Sequence, residues 1–278
     1  MGLPEALILG IIQGLTEFLP VSSSGHLVLG EALLGIHIEG IAFEVAVHLG
    51  TAGAVVLAYR KRIWAMLKAL KLIYSPSLWK ASEAEPACLR AMRENFLLDV
   101  YIIVGTIPAG VVGLTLKDKI EGAFNSPRLT CLMLMVTGII LLFSRICPKE
   151  QKFPLSWWRS LTVGAAQACA LLPGISRSGT TITAGLALGL GPGKAAEFSF
   201  LLALPAIFGA AIVEVVSSIG AAPSAALPGL GALALGTAAA FFSGYAAIFI
   251  LLQMLQQGKF DRFAYYCLAV GIAGYLSI

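Results

Sequence analysis

Apolar stretches of two lengths alternate along the chain. Six long runs contain 16 to 27 residues each, and a run of this length can cross a hydrocarbon core about 30 Å thick. The long runs cover residues 43–59, 97–116, 129–144, 196–218, 229–255 and 263–278. This pattern predicts an all-α polytopic membrane protein with six transmembrane helices.

The short apolar stretches come in two pairs. Residues 4–19 are followed by 27–35, and residues 159–172 are followed by 182–190. In each pair the first stretch stops at a proline, and serines and glycines separate it from the second. Half-length helices broken by polar residues are typical of re-entrant hairpins, which are tolerated where protein or a water-filled cavity covers the backbone. We therefore predict two re-entrant helical hairpins in addition to the six spans.

The two hairpins repeat the same polar sequence. Residues 10–25 and 164–179 share several identities at a constant offset of 154 positions. The coinciding pairs are Gly10/Gly164, Gln13/Gln167, Ser22/Ser176, Ser24/Ser178 and Gly25/Gly179. Two copies of one polar motif in an apolar chain indicate a single site built between them.

Loop charges predict how the spans are oriented. Lys and Arg residues are concentrated in 60–96 and 145–159. In 117–128 acidic residues partly offset them, and 219–228 contains no Lys or Arg. Since an excess of Lys and Arg marks cytoplasmic loops, we expect the first two segments inside and the last two outside. Three crossing helices then lie between the hairpins, so the hairpins should enter the membrane from opposite sides.

These orientations predict an inverted-topology repeat within one membrane domain, residues 1–278. Repeat 1 should cover about 1–116 and repeat 2 about 155–255, with a C-terminal helix at 263–278. Both hairpin tips should then meet near the midplane of the membrane. Secondary transporters share this architecture, so the architecture alone does not decide between transport and catalysis.

Composition agrees with this architecture. The chain is 58% hydrophobic and only 12% charged, and its mean hydropathy is +0.87, whereas soluble domains carry about 25% charged residues. The net charge of +4 is small and lies in loops, so we expect contact with membrane lipids and none with nucleic acid. The five cysteines lack the spacing of a zinc site or a disulfide framework.

The second hairpin tip carries the features of an oxyanion site. Gly174, Ser176, Arg177, Ser178 and Thr181 lie at the predicted start of a helix, where backbone N–H groups, hydroxyls and a guanidinium can converge on a phosphate. The alternative is purely structural: a serine caps the helix, and Arg177 neutralises a buried glutamate. Arginine at membrane depth is costly and usually functional, which favours the anion site.

The first hairpin tip supplies the complementary chemistry. Gln13 and Glu17 are four residues apart and therefore share one helix face, and a turn at Pro20 can bring Ser23 and His26 towards them. This set can provide a ligand for a metal ion or water, a nucleophile and a proton donor. In the structural alternative, Glu17 pairs with the arginine of the second tip and His26 only caps the helix.

Other polar residues in apolar segments are weaker candidates. Glu44 and Glu197 begin equivalent helices and can brace the hairpins, and His48 lies one turn after Glu44, where we expect local pairing. Glu214 lies near an outer helix end. The stretch 61–95, with its tryptophans and basic residues, is typical of an interfacial amphipathic segment.

These motifs resemble those of the bacterial undecaprenyl-diphosphate phosphatases, the bacitracin-resistance family. The similarity rests on Gln-x-x-x-Glu with Phe-Leu-Pro-Val-Ser-Ser-Ser-Gly-His at 13–26 and on Pro-Gly-x-Ser-Arg-Ser-Gly-x-Thr at 173–181. It extends over essentially the whole chain. The resemblance implies a multi-pass protein of the bacterial plasma membrane that removes the terminal phosphate from a polyprenyl diphosphate and so recycles the lipid carrier of peptidoglycan synthesis.

The resemblance also implies roles for single residues. By position, the family's active-site elements correspond to Gln13, Glu17, Ser23, His26, Ser176, Arg177, Ser178 and Thr181. Arg177 would hold the phosphates, Glu17 would orient a divalent cation (Mg²⁺ or Ca²⁺) or a water, and His26 would transfer a proton. Ser23 is the preferred nucleophile, with water and His26 as alternatives. A homodimer is compatible with this picture.

Two other functions fit parts of the pattern. A transporter or flippase of polyprenyl phosphate could use the same anion site without any nucleophile. A phosphatase of the phosphatidic-acid type would need a Lys-x6-Arg-Pro element and a histidine after the Ser-Arg pair, and the chain has neither, since its histidines are His26, His37 and His48. Release of phosphate by the purified protein would separate the first alternative from hydrolysis.

Overall fold

The computed structural model describes residues 1–34, 42–74, 86–147, 154–218 and 229–278. These residues form helices and no strand. The α-helices are α1 (Leu3–Phe18), α2 (Ser23–Leu34), α3 (Ala42–Ala58), α4 (Arg60–Ala69), α5 (Ala87–Thr115), α6 (Lys117–Phe124), α7 (Pro127–Phe143), α8 (Trp157–Cys169), α9 (Arg177–Ala187), α10 (Pro192–Ser218), α11 (Leu230–Gln256) and α12 (Phe263–Ser277). The prediction of an all-α protein is confirmed.

The helices include membrane-length segments. By length and composition, α5, α10, α11 and the segment Pro127–Ile146 can each cross a membrane. A fifth crossing is present if α3 is counted together with Arg60–Tyr74, although the chain bends by 79° between them. The helix α12 has 15 residues, about 22 Å at 1.5 Å per residue, which is short for a span. The polytopic membrane character is therefore clear, while the full set of six spans stays a prediction.

The predicted start of one transmembrane helix was wrong. The apolar run at 97–116 belongs to a helix that begins at Ala87, because Arg90, Arg93 and Glu94 are good helix formers that continue the helix outside the apolar region. The predicted loop 219–228 and the centre of the predicted interfacial segment, 75–85, lie outside the described residues.

Both predicted hairpins are pairs of short helices joined by a tight turn. In the first, α1 ends before Pro20 and α2 begins at Ser23; in the second, α8 ends before Pro173 and α9 begins at Arg177. Proline lacks the N–H that an interior helical position requires, so each helix ends before it.

The repeated serines make equivalent contacts in the two turns. Ser22 Oγ accepts a hydrogen bond from Gly25 N at 3.2 Å, and Ser176 Oγ accepts one from Gly179 N at 3.1 Å. These are helix N-cap contacts, which satisfy backbone donors at the start of a helix. Ser22 has a φ of +69° and is the non-glycine residue with positive φ among those described. Such backbone strain is concentrated at functional sites in proteins.

Glycines let each hairpin pack closely on a long helix. The helix α1 packs on α11, and α8 packs on α5. A Cβ at Gly10 would collide with the backbone of Gly236 on α11, and a Cβ at Gly164 would collide with the backbone of Gly105 on α5. Since Gly10 and Gly164 are equivalent in the repeat, small residues serve the same close helix approach in both copies.

Candidate functional site

The two hairpin tips contact each other through equivalent residues. A Cβ on Gly25 would lie 3.2 Å from Gly174 Cα, and a Cβ on Gly179 would lie 3.3 Å from Pro20 Cβ. Gly25 and Gly179 coincide at the offset of 154, and so do Pro20 and Gly174. The contact is therefore symmetric, which agrees with the expectation that the two motifs face each other.

Neighbouring helices hold both tips from behind. Thr137 Oγ1 on α7 donates to Gly174 O at 2.8 Å and accepts from Ser176 N at 2.9 Å. Cys267 Sγ on α12 donates to Pro20 O at 3.5 Å. These contacts satisfy backbone groups that the broken helices leave free, as a buried turn requires.

A cavity of about 320 Å³ opens beside the joined tips. Its polar wall combines residues from both copies and includes Glu17, Ser23, His48, Gln167, Ser176 and Arg177. Its apolar wall includes Ala109, Ile120, Phe124 and Ile207. A small polar head with an apolar tail is the kind of ligand that such a two-faced cavity can take.

Glu17 is the centre of the polar network. Its Oε2 accepts hydrogen bonds from Ser23 Oγ at 2.6 Å and from Gln13 Nε2 at 3.0 Å. Its Oε1 accepts from Arg177 Nη2 of the other copy, and the two charges form an ion pair. Both side chains are largely buried, with exposed fractions of 6% for Glu17 and 16% for Arg177. The pairing of Glu17 with Arg177, considered from the sequence as a structural alternative, is therefore present.

The ion pair with Glu17 does not use every hydrogen-bond donor of Arg177. Arg177 Nη1 is buried and has no hydrogen-bond partner. A guanidinium presents several donors in a fixed plane, so one edge of Arg177 can hold Glu17 while another faces a ligand. The structural and functional interpretations of Arg177 are compatible.

Four of the predicted binding residues do not line the cavity, namely Gln13, Gly174, Ser178 and Thr181. Gly174 is turned towards α7, has a φ of +92° and packs so closely on Thr130 and Met133 that a Cβ would collide with them. Ser178 Oγ donates to Leu19 O at 3.3 Å, which joins the two tips. These two residues shape the tips rather than face the cavity.

Thr181 likewise points into the protein. Its hydroxyl donates to Arg177 O at 2.7 Å and lies 2.6 Å from Ser199 Oγ on α10. This position fixes the helix turn that carries Arg177. Gln13 is fully buried and supports Glu17 from the preceding helix turn.

His26 contacts other residues than those expected from the sequence. Its Nδ1 lies 2.8 Å from Ser22 O, its Nε2 lies 2.8 Å from Tyr266 Oη, and the two rings stack at a centroid distance of 5.6 Å. Both ring nitrogens therefore have partners, one in the turn before α2 and one on α12. His26 is absent from the cavity lining, and its proton-transfer role stays a prediction that this geometry does not support.

His48 is the imidazole that reaches the site. Its Nδ1 lies 2.8 Å from Glu44 O, which confirms the expected local pairing, but its Nε2 lies 3.8 Å from Glu17 Oε2. Sequence reasoning missed this second contact. Glu44 and His48 lie one helix turn apart in the sequence, and this spacing predicts only the local contact.

Other predicted polar residues lie elsewhere. Glu197 Oε1 pairs with Arg62 Nε at 2.7 Å, and Arg62 Nη1 donates to Asn95 Oδ1 at 2.7 Å. This cluster ties α4, α5 and α10 together and contains no residue of a hairpin, so the bracing of a hairpin by Glu197 stays a prediction. The side chain of Glu214 lies outside the described part of the structure.

A cation at this site would depend on ligands from the substrate. Within the described residues, no group of three or more His, Cys, Asp and Glu side chains is placed to hold a metal ion, and Glu17 is the acidic residue on the cavity wall. Mg²⁺ commonly takes one or two protein oxygens and completes its shell with phosphate oxygens and water, and Glu17 is the side chain that could supply one here.

Comparison with known proteins agrees with the motifs. The model of the family described as "Bacitracin resistance protein BacA" matches residues 6–273. The chain belongs to the BacA family. Among curated relatives, the undecaprenyl-diphosphatase of Salinibacter ruber is 42% identical over 274 residues, which cover 97% of each chain. The undecaprenyl-diphosphatase of Desulforapulum autotrophicum is 40% identical over 284 residues and covers both chains fully.

A third BacA relative, the undecaprenyl-diphosphatase of Methanobrevibacter smithii, is 41% identical over 283 residues, covering 98% of this chain and 96% of its own. In this BacA-family chain the match therefore includes both hairpins, the cavity and the helices that brace the tips.

Proposed function

We propose that this BacA-family protein is an integral membrane phosphatase that hydrolyses undecaprenyl diphosphate to undecaprenyl phosphate and inorganic phosphate. The observation that carries the proposal is the hydrogen bond of 2.6 Å from Ser23 Oγ to Glu17 Oε2, beside an arginine with a free donor. Covalent phosphoryl transfer requires a nucleophile within hydrogen-bond reach of a base. It also requires a positively charged group, here the guanidinium of Arg177, that can hold the substrate next to the nucleophile.

In the proposed reaction, Ser23 Oγ attacks the terminal phosphorus and gives its proton to Glu17. The bond between that phosphorus and the bridging oxygen breaks, and undecaprenyl phosphate leaves. A water molecule then attacks the phosphoserine, which releases inorganic phosphate and restores Ser23. His48, 3.8 Å from Glu17 Oε2, is placed to accept or return the proton that Glu17 carries.

Arg177 and the start of α9 stabilise the negative charge of the transferred group. Arg177 Nη1 supplies a charge-assisted hydrogen bond, and the N-terminus of α9 carries the positive end of the helix dipole. Phosphoryl transfer depends mainly on such positioning and electrostatic stabilisation. The ion pair with Glu17 keeps Arg177 in place before the substrate arrives.

A divalent cation, Mg²⁺ or Ca²⁺, completes the proposal. Glu17 would hold it together with phosphate oxygens of the substrate. When bound, the cation would neutralise charge on the diphosphate. Every protein step described above is carried by Ser23, Glu17, His48 and Arg177.

The proposed place for the apolar tail is a groove that adjoins the cavity. An apolar groove of about 700 Å³ between α5, α6 and α8 shares Ile120 and Leu171 with the cavity wall. Its other lining residues include Pro108, Val111 and Leu172. We assign this groove to the first isoprene units of the substrate, because its lining is apolar and it adjoins the cavity that would hold the diphosphate.

The proposed membrane topology follows the sequence-based prediction. Six helices, α3, α5, α7, α10, α11 and α12, would cross the membrane, and the pairs α1–α2 and α8–α9 would be re-entrant hairpins that enter from opposite sides. The symmetric contact of the tips and the equivalent capping serines support this inverted repeat. The plasma membrane is the expected location, and a homodimer stays a prediction.

The test is release of inorganic phosphate from undecaprenyl diphosphate by protein purified in detergent. The proposal expects one phosphate and one undecaprenyl phosphate per substrate consumed. A protein that releases no phosphate, but moves undecaprenyl phosphate between the leaflets of a vesicle, would instead be the transporter considered from the sequence.

A further inference from the structure

Gln167 is a buried side chain whose polar atoms have no partner. It lies on α8, is 2% exposed, and neither its Nε2 nor its Oε1 makes a hydrogen bond. Its side chain lines the same cavity as Glu17, Ser23 and Arg177. Burying an amide without partners is costly, so such groups in native proteins call for an explanation.

The repeat shows why the amide is free. Gln167 is equivalent to Gln13, whose Nε2 donates to Glu17 one helix turn later. The position equivalent to Glu17 in the second copy is Leu171. The second copy therefore keeps the amide and lacks the acid that would bind it, which leaves the amide available to the cavity.

A second unpaired donor belongs to the same cavity. Arg177 Nη1 is buried and lacks a partner within the described structure. Gln167 adds another donor, Nε2, from the α8 wall. A cationic donor and a neutral donor facing one small cavity are complementary to an anion that accepts several hydrogen bonds.

We infer that Gln167 is a substrate-binding residue, whose Nε2 donates a hydrogen bond to the diphosphate on the α8 side of the cavity. The identity of the ligand rests on the proposed function; the position of its binding group does not. A neutral amide suits this position, because a second carboxylate near Glu17 would repel the anion. Gln167 thus takes the place opposite the Ser23 hairpin and fixes the orientation of the diphosphate.

The test compares Gln167→Met with the wild type. Methionine has a similar length and no amide, so it removes the hydrogen bond with little change in volume. The probe is a prenyl methylenediphosphonate, in which CH₂ replaces the bridging oxygen, and its binding is measured by calorimetry in detergent. We expect affinity to fall by about tenfold or more, equivalent to about 1.4 kcal/mol, with a matching rise in KM.

Thermal stability separates binding from a structural role. If Gln167 is held unpaired for a ligand, Gln167→Met removes two unsatisfied buried atoms and the melting temperature of the ligand-free protein should stay the same or rise by about 2–4 °C. Gln167→Glu, which keeps the shape and adds a charge, should weaken binding further. Gln253→Met, an equal change at an exposed position of α11, is the control and should bind as the wild type does.

The outcomes keep the two proposals apart. Gln167→Met with wild-type affinity and wild-type KM would overturn the inference, and so would a lower melting temperature with unchanged affinity. If the wild type binds the diphosphonate in a Gln167-dependent way but releases no phosphate from undecaprenyl diphosphate, the inference stands and the proposed phosphatase function falls.

Discussion

Replacing Arg177 by lysine keeps the positive charge and removes the planar fork. In the structure, Nη2 of Arg177 is committed to Glu17, and Nη1 is the buried donor left for the substrate. A lysine has one nitrogen at a different reach and cannot fill both positions with the same geometry. Its ammonium should therefore serve either Glu17 or the phosphate.

The magnitude follows from the lost contact. A hydrogen bond from a charged donor in a buried site contributes about 1.5–3 kcal/mol, so Arg177→Lys should lower kcat/KM by about 10- to 100-fold. The assay is initial-rate phosphate release from undecaprenyl diphosphate in detergent, with size-exclusion profiles to verify folding. Arg128→Lys is the matched control: Arg128 bonds to Ile278 O at 3.0 Å on an exposed helix end, and its change should stay within about twofold.

An Arg177→Lys enzyme within about twofold of the wild type in kcat/KM would refute the assignment. The free edge of the guanidinium would then not contact the substrate in the transition state, and Arg177 would be only the structural partner of Glu17.

Three other changes test separate parts of the site. Glu17→Gln should be folded and inactive, and EDTA should abolish wild-type activity that Mg²⁺ or Ca²⁺ restores; activity that resists EDTA would remove the cation from the proposal. His48→Gln should slow turnover at an unchanged melting temperature, whereas His26→Gln should lose activity only together with stability, because His26 bonds to Tyr266; a loss at full stability would return the proton role to His26. In a cysteine-free background, Glu121→Cys should react with an impermeant thiol reagent on intact cells and Gln257→Cys only after permeabilisation; labelling from the same side would contradict the inverted topology.

The apolar pattern predicted helices well because it measures burial in lipid. Five predicted spans agree with α3, α7, α10, α11 and α12 within a few residues. The start of the remaining span was wrong: α5 begins at Ala87, because the helix continues beyond the apolar segment where polar residues also favour helix.

The site was predictable as a set of motifs and not as a geometry. The repeat correctly predicted that Glu17 and Ser23 lie near Arg177, because two polar turns in an apolar chain are expected to be buried against each other. The direction of each side chain depends on how its helix is rotated against its neighbours, which no spacing encodes. His26 and His48 therefore exchanged places with respect to the expectation: the first stacks on Tyr266, and the second faces Glu17.

Gln167 is a residue that the sequence analysis found in the repeat but did not select for the site. Its coincidence with Gln13 was visible in the repeat, but no acidic neighbour marked it as part of a catalytic group. Only the structure shows that the amide is buried, faces the cavity and lacks a partner.

The central claim is that Ser23, activated by Glu17, attacks the terminal phosphate of a polyprenyl diphosphate. The most direct measurement is phosphate release from undecaprenyl diphosphate by purified Ser23→Ala, run beside the wild type and beside Ser277→Ala, an exposed serine of α12. We predict that Ser277→Ala has wild-type activity and that Ser23→Ala is folded and slower by at least about a thousandfold. A folded Ser23→Ala enzyme that releases phosphate at a rate near that of the wild type would contradict the account.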